Sequence, residues 1–199
     1  SFNADKNSEL LLYLEIDHTS AKIELDEIVA KIQLGLQNVS LVVDDFSDLT
    51  NTVKAELKHS ENDKFSAQIK DLKEQQTFLS WLLEYHFTFI ACDKFTLKDG
   101  MLQSVENSQL GLLKRDDFRA EMSQFASLEA LSRTSLLHFT KAPQRAMVHR
   151  SAYPDVIYVK RFNKAGQLIS GYRFIGLYTS SVYSGSPTDI PVVANKLAN

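Results

Sequence analysis

Apolar residues in the first half of this chain fall at helical spacing. After Ser20, a candidate N-cap, Leu25, Ile28, Val29, Ile32 and Leu36 take the i, i+3, i+4, i+7 and i+11 places of one helical face. A second helix is expected to carry Val39, Val42, Val43, Phe46, Leu49, Val53 and Leu57 in register. Lys54, Lys58 and His59 then lie toward its C-terminal end, where the helix dipole favours cations. The run "SEND" (60–63) breaks the pattern and offers caps for a third helix, through Phe65, Ile69, Leu72, Leu79, Leu82 and Leu83 to about His86. Ahead of these helices, "ELLLYLEID" (9–17) alternates in part and predicts a short strand.

From Phe87 the period shortens to two. "FTFIACDKFTL" (87–97) is rich in aromatic and β-branched residues, and "KDG" (98–100) is a turn signal. "MLQSV" and "LGLLK" supply a return strand interrupted at "ENSQ". Asp116 and Asp117 then open a helix with Phe118, Met122, Phe125, Leu128 and Leu131 on its apolar face. "SLLHFTK", "RAMVHR", "DVIYVKRFN" and "QLISGYRFIGLYTS" all read as strands, with "KAG" (164–166) turning the last hairpin. The tail around Pro187 and Pro191 reads as irregular. The expected fold is therefore α+β: a helical hairpin or bundle, then an antiparallel sheet domain of PAS-like strand order, ββαβββ. The expected organisation is a short strand plus three helices over 1–86, the PAS/ACT-like domain over 87–182, and an irregular segment over 183–199.

Charge follows the same division. The net charge is −3 over 199 residues. Residues 1–86 hold eight lysines and sixteen acids, and residues 87–199 hold fourteen cations and nine acids. A basic second half makes that half the candidate for meeting anions. Between Arg133 and Arg173 eight cations face a single acid, Asp155. Strand alternation nevertheless puts Tyr158, Lys160 and Phe162 on one face and Ile157, Val159 and Arg161 on the other. Nucleic-acid binding wants cations and exposed aromatics on one surface, so that partner is not expected. No apolar run is long enough to span a bilayer. The single cysteine, Cys92, excludes an internal disulfide and fits a reducing cytoplasm.

The motifs of common enzyme chemistry are missing from the sequence. The seven glycines form neither a dinucleotide fingerprint nor a phosphate loop. Five scattered histidines give no metal-ligand spacing, and no serine sits in a nucleophile elbow. Asp44–Asp45 and Asp116–Asp117 are adjacent pairs, which on a helix point apart and suit capping and solvation. Trp81 is expected to anchor the third helix on the sheet. His86 and His138 are expected to be satisfied, partly buried side chains, and Phe87, Phe89, Phe162, Phe174 and Tyr178 core or interface aromatics.

Longer segments carry a family likeness. "WLLEYHFTFIACDKFTL", "LGLLKR" and "LHFTKAPQRAMVHRSAYPDVIYVKRFNKAGQLISGYRFIGLYTSSVYSGSPTDIP" resemble the N-terminal region of the large-subunit bacterial NAD-dependent glutamate dehydrogenases, and "LLYLEIDH" is similar to an early segment of that family. The likeness runs from about Leu11 to Pro191. It departs at Ala91 and Cys92, where the family commonly reads Gly-Tyr, and at Ser151, where it commonly has Pro. The resemblance implies a piece of a very long cytoplasmic polypeptide that assembles as a homo-oligomer. ACT-like and PAS-like modules lie early in that polypeptide and the dehydrogenase domain far downstream. The parent reaction is oxidation of L-glutamate by NAD to 2-oxoglutarate and ammonium. This piece is then non-catalytic, regulatory or architectural, without its own catalytic, cofactor-binding or metal residues, NAD belonging to the parent. Thr140, Lys141, Arg145, His149, Arg150, Lys160 and Arg161 are its expected contacts with other domains and neighbouring subunits. An anionic effector such as an amino-acid carboxylate is the other candidate for them. A free-standing ligand-sensing or protein-interaction module of PAS-like order is the alternative reading.

Overall fold

Helices come first and strands second, as the change of period predicts. The computed structural model describes residues 13, 15, 25–62, 69–98, 101–123 and 135–193. Apart from Tyr13 and Glu15, which take no regular structure, the strand expected at 9–17 lies outside the described residues, as does the distal part of the helix expected through Phe125, Leu128 and Leu131. Three helices open the fold: α1 (Leu25–Asp44), α2 (Phe46–Asn62) and α3 (Ile69–Trp81). The strands are β1 (Phe87–Lys98), β2 (Met101–Ser104), β3 (Leu110–Gly111), β4 (Leu137–Lys141), β5 (Asp155–Phe162) and β6 (Leu168–Tyr178). Helix α4 (Asp116–Ser123) separates β3 from β4, and a short helix α5 (Ser180–Ser184) follows β6. The class is α+β.

The six strands form one antiparallel sheet in the order β2-β1-β6-β5-β4, with β3 pairing beside β2 on β1. The interrupted return strand is thus two short strands on one partner. A bulge between Phe89 and Ala91 lets Ile90 and Ala91 share a face, against the usual alternation.

Both faces of the sheet are covered. On one, Phe89, Cys92, Ile157, Val159 and Phe174 meet Leu49 and Val53 of α2 and Phe78 and Leu79 of α3. On the other, Ile90, Phe95, Val156, Tyr158 and Ile175 meet Phe118 and Met122 of α4, Ala142, Ala146 and Val148 of the β4–β5 connection, and Val42 of α1. The helical section and the sheet therefore share a core across residue 86. Burying a large apolar side chain contributes roughly 1.5–3 kcal/mol, so these two layers are the main source of stability.

Three expectations change. The division expected between Leu36 and Val39 does not occur: α1 runs through Gly35 to Asp44, and the chain breaks at Asp45. Asp45 is 6% exposed and accepts a hydrogen bond from the Gly111 backbone at 2.7 Å and from Lys114 Nζ at 2.7 Å, fastening the α1–α2 corner to the sheet edge. "RAMVHR" is not a strand. Only an isolated bridge, Ala146 to Ala152, forms there, while His149 takes a left-handed φ of 66° and turns the chain. Finally, α3 stops at Trp81 and passes into a π-helical turn, Leu82–His86, with Tyr85 at φ 64°.

Candidate functional site

The seven residues singled out from the sequence split into three places. Arg161 lies on the α2/α3 face of β5 and clamps Glu56 of α2 with two hydrogen bonds, one of them Nε to Oε1 at 3.1 Å and the other from Nη2 to Oε2. Its guanidinium also lies 5.5 Å from the Tyr172 ring centroid. The Glu56 side chain is 2% exposed. This is a fastening between the acidic helices and the basic sheet. Lys160 points the opposite way, 2% exposed, with its ammonium 5.5 Å from the centre of the Phe162 ring.

The second place is the far end of the sheet. Lys141 on β4 pairs with Asp155 on β5 at 2.7 Å, the two being opposite in register. Burial raises the Asp155 carboxyl above its ordinary 3.8, and the hydrogen bond and charge of Lys141, with the charge of Arg150, oppose that rise. Arg150 donates to the Tyr178 carbonyl at 2.7 Å and lies 5.0 Å from the ring centre of Tyr183 in α5. Arg150 Nε and Asp155 Oδ2 are buried and make no hydrogen bond among the described residues. The Tyr178 hydroxyl is held well above its usual range by burial and the Asp155 charge. Thr140 stands one residue before Lys141, opposite Val156.

Arg145 and His149 make the third place, on the β4–β5 connection. Arg145 is exposed and lies 5.2 Å from the Tyr153 ring centre, and His149 is exposed. The structure thus gathers Lys141 and Arg150 around Asp155, and leaves Arg161 and Lys160 on opposite faces.

Two buried acids, Glu56 and Asp93, are not singled out by the sequence pattern. Glu56 follows Leu49 and Val53 at helical spacing and precedes the buried Ser60, so an acid stands on a buried stripe where the apolar pattern points to Leu57. Asp93 and Arg173 are partners in register on β1 and β6, 0% and 7% exposed in their side chains. They form two hydrogen bonds, of 2.9 and 2.7 Å, and Arg173 Nη1 also donates to the Met122 carbonyl, tying α4 to the sheet. An acid and an arginine inside two otherwise apolar strands were the available signal.

Single residues stand as follows. Trp81 stacks on His86 with ring centroids 4.4 Å apart, and His86 Nδ1 lies 2.8 Å from the Trp81 carbonyl. His138 lies 5.8 Å from the Tyr158 ring. Phe87, Phe89 and Phe174 are buried, with Tyr178 and Phe162 packed against the core. Cys92 is buried, and desolvation, reinforced by the Asp93 charge, pushes its thiol up to about 12. Such a thiol is not a nucleophile at neutral pH. A cavity of about 430 Å³ opens between α2 and α3, where Glu61, Gln76, Ser80, Trp81 and Glu84 line it. Its carboxylates suit cations, and none of the seven residues singled out from the sequence lines it. Among the described residues no group of His, Cys, Asp and Glu is placed to hold a metal, and no helix is long and apolar enough to cross a membrane.

This geometry defines a helix-backed antiparallel module whose charges mostly fasten its own layers. No family model matches the chain. It is 35% identical to the NAD-specific glutamate dehydrogenase of Pseudomonas aeruginosa, across 98% of this chain and 12% of that protein. To the NAD-specific glutamate dehydrogenase of Halomonas elongata it is 31% identical, across 98% of this chain and 13% of that protein. Over nearly its whole length the chain is thus similar to one part of the NAD-specific glutamate dehydrogenases, and it spans about an eighth of the curated relatives it matches.

Proposed function

We propose that this chain is a non-catalytic, regulatory or architectural part of an NAD-dependent glutamate dehydrogenase, from the N-terminal region of that polypeptide. The parent converts L-glutamate, NAD and water to 2-oxoglutarate, ammonium and NADH in the cytoplasm. The observation that carries this reading is the extent of the match: almost all of this chain against 12–13% of each relative. The strand order β2-β1-β6-β5-β4, with a helix between the first hairpin and the last three strands, supports the PAS-like description. The commitment of Arg161, Lys141 and Arg173 to Glu56, Asp155 and Asp93 supports a positioning role, since the first pair fastens α2 to the sheet and the other two fasten neighbouring strands. Arg145 and His149, exposed on the β4–β5 connection, are the residues of the original seven best placed to reach another domain or subunit.

The test has two arms. The 199-residue chain, given L-glutamate and NAD, is expected to form no NADH, and measurable turnover would refute the non-catalytic assignment. In the full-length enzyme, Arg145→Ala is expected to change oligomer size or effector response. If both stay at wild-type values, the contact role is lost.

A second reading rests on Arg150 Nε and Asp155 Oδ2, a buried donor and a buried acceptor five residues apart in the chain, the Arg150 charge acting on the Asp155 carboxyl. An amino-acid effector carries the complementary carboxylate and ammonium. Calorimetry of the chain with amino acids distinguishes the two: no heat supports the contact reading, and micromolar binding abolished by Arg150→Ala supports a sensor.

A further inference from the structure

The cavity between α2 and α3 holds polar side chains that the fold itself does not use. Gln76 and Ser80 stand one turn apart on α3, and the π-helical turn carries Glu84 in beyond them. Glu61 lines the cavity from α2. None of these four side chains makes a hydrogen bond or ion pair among the described residues. Asp45, Glu56, Asp93 and Asp155, by contrast, each fasten one element to another. Leu57, Trp81 and Pro191 supply the apolar walls. Trp81 is half-buried and pinned by its stack on His86, so the aromatic wall is set in advance. The volume, about 430 Å³, falls in the range that takes small organic ligands.

We propose that this cavity binds an aliphatic diamine or polyamine. Its described lining holds two carboxylates on separate elements and no lysine or arginine. Two ammonium groups pair with the two carboxylates, and the methylenes between them pack on Trp81, Leu57 and Pro191. An ammonium beside the indole gains a further cation–π attraction. Ser80 and Gln76 offer neutral acceptors for the remaining N–H donors. An amino acid fits less well, because its own carboxylate would meet only acids here. A metal ion also fits less well, since among the described residues no third ligand stands with the two glutamates. The field of the surrounding section points the same way, residues 1–86 holding sixteen acids and eight lysines. Tyr85, at φ 64° directly after Glu84, adds the kind of backbone strain that gathers at ligand sites, as π-helical turns do.

Titration of the 199-residue chain with 1,4-diaminobutane and with spermidine, at fixed ionic strength, tests this. Trp81 is the only tryptophan, so its fluorescence reports the site while calorimetry reports the heat. Both signals are expected to saturate together. Butylamine, with one ammonium, and L-lysine, with a carboxylate, are expected to bind at least about fivefold more weakly. Glu61→Gln and Glu84→Gln are each expected to weaken diamine binding about fivefold, and together about twentyfold. Both residues are exposed, so the melting temperature is expected to stay unchanged. Diamines that leave fluorescence and heat flat overturn the proposal. An equal response to magnesium chloride also overturns it, reducing the effect to screening of the acidic helices. Saturation undiminished in the double variant overturns it by moving the binding elsewhere.

Discussion

Glu56 sits almost wholly buried on α2 with the Arg161 guanidinium as its partner, and removing that partner strands a charge in the core. Breaking one side of a buried pair costs about 3–5 kcal/mol, and the partial exposure of Arg161 puts Arg161→Ala at about 3 kcal/mol. Replacing both partners, as in Glu56→Gln/Arg161→Met, is expected to cost less than the single change. Urea unfolding measures both, and a double variant no more stable than the single one would count against a stranded charge. Asp155 gives a pH signature. Its carboxyl is raised by burial above 3.8, so the folded state binds its proton more tightly than the unfolded chain. Its contribution is complete below 3.8 and is lost as pH rises through the raised folded value. The stability of the wild type relative to Asp155→Asn is therefore expected to decline from acid toward neutral pH. A difference that stays flat in pH-dependent melting contradicts it. At this scale the sequence offered the cations plainly but not their partners, because Glu56 meets Arg161, and Asp93 meets Arg173, only across elements distant in the chain.

Elements were more legible, since period alone separates helix from strand. The alternation from Phe87 onward and the helical spacing before it both survive in the fold, as does the placement of Tyr158 and Lys160 against Val159 and Arg161. The break at Asp45 was not legible because its cause is tertiary: that carboxylate is engaged by Gly111 and Lys114, more than sixty residues away. "RAMVHR" misled for a related reason. Its apolar residues Ala146 and Val148 are buried as a lid on the sheet, not as a strand within it. Gly111 combines a close approach with a left-handed backbone. It has φ 61°, and a Cβ there would lie 2.2 Å from the Ile90 carbonyl oxygen. Gly111→Ala is thus expected to destabilise by about 2 kcal/mol or more, combining backbone strain with a clash against main chain. A melting temperature equal to wild type would contradict so close a β1–β3 approach.

For the molecule as a whole, the two apolar layers lie on opposite faces of one sheet, so helices and strands are expected to unfold together. Trp81, the only tryptophan, reports the α3–sheet contact through its stack on His86, and its fluorescence is expected to share one midpoint with circular dichroism. Separate midpoints would mark two cooperative units. The helical class, the sheet and the family likeness were all readable from the chain. The open side of α1 was not, since the periodic pattern says that a stripe is apolar but not what lies against it. Among the described residues that helix is secured at one end only. Asn38, Val42 and Asp45 tie its C-terminal half down, with Arg115 reaching Asn38, whereas Leu25 stands thirteen residues, about 20 Å, further out. A beam clamped this way acts as a lever. Load applied near Leu25 arrives at the β3 corner as torque, at the very glycine whose backbone has no room to give.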